Sequence, residues 1–138
     1  MDQEINIVIK KHFSELPRKI ARMTSGICNE VYLVKLKNNS VIVRIHKLDR
    51  FLRGSSRNIP IFKSKGIVVP EILFEDYLMQ TIPYAYQIMT VIEGEDLGKV
   101  IHNLKLEQLP PIAKEVSGVF LKLEDFPMLS GLNYWNCI

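Results

Sequence analysis

Residues 31–46 read VYLVKLKNNSVIVRIH, two runs rich in β-branched residues separated by Asn38, Asn39 and Ser40. Asparagine tolerates the left-handed backbone that tight turns demand, and alternating branched side chains suit a half-buried pleat. An antiparallel hairpin of Val31–Lys37 and Val41–His46 is therefore the firmest local expectation, and any fold must be built around it. Arg44 interrupts the second run between Val43 and Ile45, placing a cation in mid-strand.

Other elements fall around the hairpin. Ile5, Val8, Ile9, His12, Phe13 and Leu16 recur at helical spacing, which predicts an amphipathic helix over 3–15 ended by Pro17. Ile20–Met23 reads as a short strand before a small-residue turn, Ser25, Gly26, Ile27, Cys28 and Asn29. Residues 47–57 are basic and carry no clear period. Beyond Asn58, Pro60 fits a first helical turn and Gly66 a C-terminal cap. Ile67–Phe74 reads as extended and broken by Pro70, and Tyr84–Ile92 as a strand closed by Glu93 and Gly94. Asp96 suits the cap of a helix over 97–103, and Pro110 and Pro111 open one with Ile112, Val116, Val119, Phe120 and Leu123 along a face. The pattern is α+β: an antiparallel sheet of about five strands with flanking helices, then helices only.

Composition narrows the function classes. At 138 residues, 47% hydrophobic and 24% charged, the chain can bury a core. No apolar run is long enough for a membrane span. Cys28 and Cys137 stand far apart without metal-ligand spacing, and a reduced, cytoplasmic protein is the expectation. The charge is uneven: residues 1–65 hold 14 Lys/Arg and 5 Asp/Glu, residues 66–138 hold 4 and 10, so the halves carry +9 and −6. A basic half attracts anions such as nucleotide phosphates or nucleic acid, although a solvated surface explains the same residues.

A glycine turn between antiparallel strands can aim backbone N–H groups at phosphate oxygens, and a cation on the next strand can reach the same phosphates. Gly26 and Arg44 are spaced for that device, yet a lone Ser-Gly turn and an outward-facing structural arginine are equal readings of each by itself.

The ordered set is more specific. SGICNEVYLV, VIVRI, GIVVPEIL and YQIMTVIEGEDL, in that order, resemble the N-terminal lobe of the aminoglycoside phosphotransferase and choline kinase-like small-molecule kinases, over roughly residues 20–125. The resemblance implies a protein-kinase-like N-lobe with hinge over 1–95, and the first helices of an incomplete C-lobe over 96–138. It implies a nucleotide-phosphate loop at Ser25, Gly26, Ile27, Cys28 and Asn29, with Arg44 as the strand-three cation on the phosphates. Met89 then stands at the back of the adenine pocket. Thr90 to Ile92 form the hinge whose backbone reads the base, and Val31 roofs the adenine or is a plain core valine. The implied cofactor is ATP or GTP, with magnesium in a complete enzyme, and the implied acceptor a small-molecule hydroxyl.

Two departures bear on that picture. The family's helix glutamate, which pairs with the strand-three cation, should fall near Ser55 or Ser56, and no acid lies between Asp49 and Glu71. Arg44 is thus expected to draw on a carboxylate from elsewhere or on ligand phosphate alone, and to be at least half solvated. Phosphoryl transfer also needs a His-x-Asp catalytic loop with a metal-binding Asn and a later Asp. None of His12, His46 and His102 has Asp two residues on, and Ser130 stands five after Asp125. No residue is assigned a catalytic or metal-binding role, and the chain is expected to stop short of the catalytic machinery and to self-associate through exposed apolar surface. A non-catalytic interaction module with a kinase-like lobe is the alternative. A nucleic-acid-binding protein ranks last, because no aromatic-interleaved basic stripe accompanies the charge.

Overall fold

The structure is a computed structural model and describes residues 1–23 and 30–124. Helix α1 (Asp2–Phe13) is followed by strands β1 (Lys19–Met23), β2 (Glu30–Lys35) and β3 (Ser40–His46), helix α2 (Arg50–Ser64), strands β4 (Ile72–Asp76) and β5 (Ala85–Thr90), a short α3 (Leu97–Val100), 3-10 turns at Ile101–Asn103 and Leu106–Gln108, and α4 (Leu109–Leu123). The strands form one antiparallel sheet in the order β1-β2-β3-β5-β4. The expected α+β class and five-stranded sheet are both present.

The core forms on one face of this sheet. Period-2 alternation sends Val41, Val43 and Ile45 to that side, together with Tyr32, Val34, Tyr86 and Ile88, and α1 covers them with Ile5, Val8 and Ile9. Each of those three helix residues is fully buried, which at ~25 cal/mol per Å² of apolar surface makes α1 the main lid of the core. The other face carries Val31, Leu33, Ile42, Arg44, Gln87 and Met89, and α2 packs across it through buried Leu52.

Several boundaries differ from expectation. α1 ends three residues before Pro17, at Ser14, whose φ of 57° is left-handed and whose N–H bonds the Lys10 carbonyl at 3.0 Å. The hairpin forms with Val34 opposite Val41, but neither asparagine takes a positive φ. Its loop runs over four residues, Leu36 to Asn39, closed by Leu36 N–H to the Asn39 carbonyl at 2.8 Å, and that length does not need a mirror-image turn.

The largest correction is α2. It begins at Arg50, so Pro60 lies in its interior instead of its first turn. The helix does end as foreseen. Gly66 sits at φ 67°, its N–H on the Lys63 carbonyl at 3.0 Å, and Ile67 N–H reaches the Phe62 carbonyl at 3.0 Å, the paired bonds of a glycine-terminated helix. Asp96 caps α3 through Oδ1 to Gly98 N–H at 2.9 Å, and the two prolines open α4.

Candidate nucleotide cleft

Strand register brings separate parts of the sequence into one lateral row. Met23 opposes Val31, Val31 opposes Arg44, Arg44 opposes Gln87, and Gln87 opposes Glu75. Directly paired residues of an antiparallel sheet project to the same side, so the row lies on the face that α2 crosses. One step along, Ile42 opposes Met89, which opposes Ile72, giving an apolar row beside the polar one.

Arg44 is half-buried, less exposed than the expected solvation of at least half. Its Nη1 donates to Ser55 Oγ at 2.6 Å and to Gln87 Oε1 at 3.3 Å. These neutral acceptors take the place foreseen for a helix carboxylate, and they let the guanidinium sit deeper than water alone would allow. Burial draws its pKa down, opposed by the Tyr77 hydroxyl, and arginine remains charged at any physiological pH.

Gln87 was not anticipated, yet it is the hub of the site. It is fully buried, its Nε2 lying 3.1 Å from the Leu52 carbonyl, 3.1 Å from Ser56 Oγ and 2.6 Å from Tyr77 Oη. Tyr77 Oη and Ser56 Oγ lie 2.9 Å and 2.6 Å from Glu75 Oε2 and also against each other, so with one proton apiece the two hydroxyls share these three contacts. Burial raises the Tyr77 pKa, with Glu75 adding to it. Arg53 stacks its guanidinium 4.7 Å from the Tyr77 ring centroid and also pairs with Asp49. A polar residue inside the apolar run YQIMT was a signal available in the sequence, of the same kind as Arg44.

The remaining predicted residues divide in three. Val31, half-buried, and Met89, 4% exposed, join Arg44 on the α2 face. Thr90 ends β5: its N–H bonds the Glu71 carbonyl and its Oγ1 accepts from Glu71 N–H, each at 2.9 Å. Ile92 lies beyond the strand and is 48% exposed. Ser25, Gly26, Ile27, Cys28 and Asn29 fall outside the described residues. The strands they join, β1 and β2, pair up to Met23 and Val31, beside Arg44.

This order of strands, with a helix across the face that carries Arg44, is that of a protein-kinase-like N-lobe. The chain is similar over 89% of its length to an apo structure of a thermostable mutant of aminoglycoside phosphotransferase APH(4)-Ia, with a TM-score of 0.65 and 14% identity. A ternary complex of a variant of that enzyme with AMP-PNP and hygromycin B matches 87% of the chain at a TM-score of 0.64. A complex with ADP and hygromycin B matches the same share at 0.57 and 16% identity. The chain spans 38% of the length of each of these structures. No protein-family profile and no curated protein sequence matches it.

Proposed function

We propose that this chain forms the nucleotide-binding part of an ATP- or GTP-dependent phosphotransferase acting on a small-molecule hydroxyl, with residues 1–95 as the nucleotide lobe and hinge and 96–138 as the start of the second lobe. The observation that carries this reading is the placement of Val31, Arg44 and Met89 on one sheet face, Val31 and Arg44 in one row near the end that the segment Ser25–Asn29 joins and Met89 two positions further along. The nucleotide complexes of the similar enzyme support it.

In this reading the base lies between Val31 and Met89, and Arg44 meets the phosphates together with backbone amides of the glycine turn. Because the Thr90 N–H is taken by Glu71, base-reading donors come from the chain after it, toward Ile92. The chain's contribution is binding and charge neutralisation. Among the described residues there is no group of three His, Cys, Asp or Glu able to bind a metal, and no transfer step is assigned to them. The described residues also include no helix long and apolar enough to cross a membrane.

Thermal unfolding with ATP or GTP at millimolar concentration tests this. Stabilisation by nucleotide that disappears in Arg44→Ala is the expected result, and an unchanged melting temperature for the wild-type chain with both nucleotides would sink the reading.

A second reading, an interaction module, draws on α4. Phe120 and Leu121 are 69% and 68% exposed, with Val116 and Val119 nearby, an apolar surface of the kind that mediates association. Sedimentation velocity should show concentration-dependent self-association that falls in Phe120→Ser, which the first reading also expects. Association without any stabilisation by nucleotide favours the module, and a monomer at all concentrations counts against it.

A further inference from the structure

The proposed nucleotide site rests on a cation that has no carboxylate partner among the described residues, and the structure contains the means by which it is held. Among the described residues the ion pairs join the N-terminus to Glu4, Arg53 to Asp49 and Lys63 to Glu71; Arg44 is in none of them. Both of its hydrogen bonds fall on Nη1 and both end on neutral oxygens. A guanidinium has five N–H donors, so Nε and Nη2 keep their donors without a partner among the described residues.

The polarity of Gln87 is fixed by its surroundings. The Leu52 carbonyl can only accept, so the side-chain nitrogen must face it at 3.1 Å, and Ser56 and Tyr77 lie on that same nitrogen. The amide oxygen is thereby turned to Arg44. The nearest carboxylate in this network, Glu75, is reached only through Tyr77 or Ser56. Its charge steadies the far end of the chain of bonds without neutralising the arginine.

We propose that Gln87 is a positioning residue which orients Arg44 on the α2 face of the sheet and leaves its charge uncompensated by any carboxylate of the described residues, so that an anionic phosphate chain is drawn to it. The assignment rests on the nucleotide reading above. It differs from an ion-paired arrangement in a measurable way: affinity for the phosphates and affinity for the base should separate when Gln87 is changed.

The test is Gln87→Met, which keeps the length and removes the amide, with Tyr77→Phe as a milder variant that loosens the same amide should the first fail to fold. Calorimetric titration with ATP, tripolyphosphate and adenosine should show ATP and tripolyphosphate affinity falling about tenfold, the worth of one hydrogen bond to a charged group, while adenosine affinity stays within about twofold. Equal losses for ATP and adenosine would mark Gln87 as merely structural, and undiminished tripolyphosphate affinity would show that Ser55 suffices; either overturns the proposal. A ligand-free readout keeps it separate from the nucleotide reading. By ¹⁵N NMR, rotation of the Arg44 guanidinium should be hindered in the wild-type chain and freed in Gln87→Met or, to a lesser degree, Tyr77→Phe. Unchanged hindrance overturns the positioning role, whereas a wild-type chain that binds no ATP with a hindered guanidinium overturns the nucleotide reading alone.

Discussion

The Arg44 guanidinium donates to the Ser55 hydroxyl at 2.6 Å, across the gap between β3 and α2. It is the shorter of two contacts that hold the arginine, the other being 3.3 Å to Gln87. Ser55→Ala should therefore destabilise the chain by about 1.5–3 kcal/mol, the range for losing a hydrogen bond to a charged group. Urea unfolding measures this, and a midpoint equal to wild type would mean that the bond adds nothing.

Leu52 is the buried anchor of α2. Leu52→Ala should cost about 2–4 kcal/mol through lost burial and the cavity left behind. The substitution leaves the backbone carbonyl that Gln87 uses, so the loss should appear as a lower urea midpoint with an unchanged slope.

Pro60 stands inside α2 on its exposed side. Proline has no N–H for the carbonyl four residues back and crowds the preceding turn. Pro60→Ala should raise stability by about 1–3 kcal/mol. A lower thermal midpoint for the variant would refute this account of the helix.

His12 links α1 to the sheet. Its ring stacks on Phe74 with centroids 4.2 Å apart, and Nε2 lies 2.8 Å from Tyr86 Oη. Burial lowers its pKa, with Lys11 adding to the effect and Asp76 opposing it. The unfolded chain therefore takes up this proton first as pH falls. Stability linked to His12 is fully present above the ordinary value of 6.5 and is lost as pH drops through the lower folded value. Asp76 behaves separately: burial pushes it up, but hydrogen bonds from Thr81 and Leu78 outweigh that and leave it lowered from 3.8, so its contribution is lost only in stronger acid. Between pH 7.5 and about 5 the denaturation midpoint of wild type should fall while that of His12→Gln stays flatter, because the variant lacks the titrating group. A dependence that persists unchanged in the variant assigns it elsewhere.

Legibility followed the strength of local patterns. The β2–β3 hairpin and α1 were readable because their apolar periods, 2 and 3.6, each match a buried face. Arg44 was readable as a functional candidate because a cation in an apolar strand demands a reason. α2 was not, because Gly54, Ser55, Ser56 and Pro60 are poor helix formers and the helix is held by tertiary contact through Leu52. Pro60 accordingly reads as a helix start in the sequence alone. Gln87 was missed for a different reason. β3 and β5 are neighbours in space but not in sequence, and no local signal sets their register, so nothing in the chain alone set Gln87 opposite Arg44.

The uneven charge of the sequence acquires a direction in the sheet. Among the described strands its two edges are β1 and β4, the first bearing exposed Lys19 and Arg22, the second exposed Glu75 and partly buried Asp76. Two copies meeting through matching rims repel, whereas a basic rim meets an acidic one with attraction that salt screens. Such a contact joins unlike surfaces and leaves one rim of each sign unused. Strand-to-strand association of this chain would thus grow as an open-ended row instead of closing as a two-fold pair, and raising the ionic strength would shorten it.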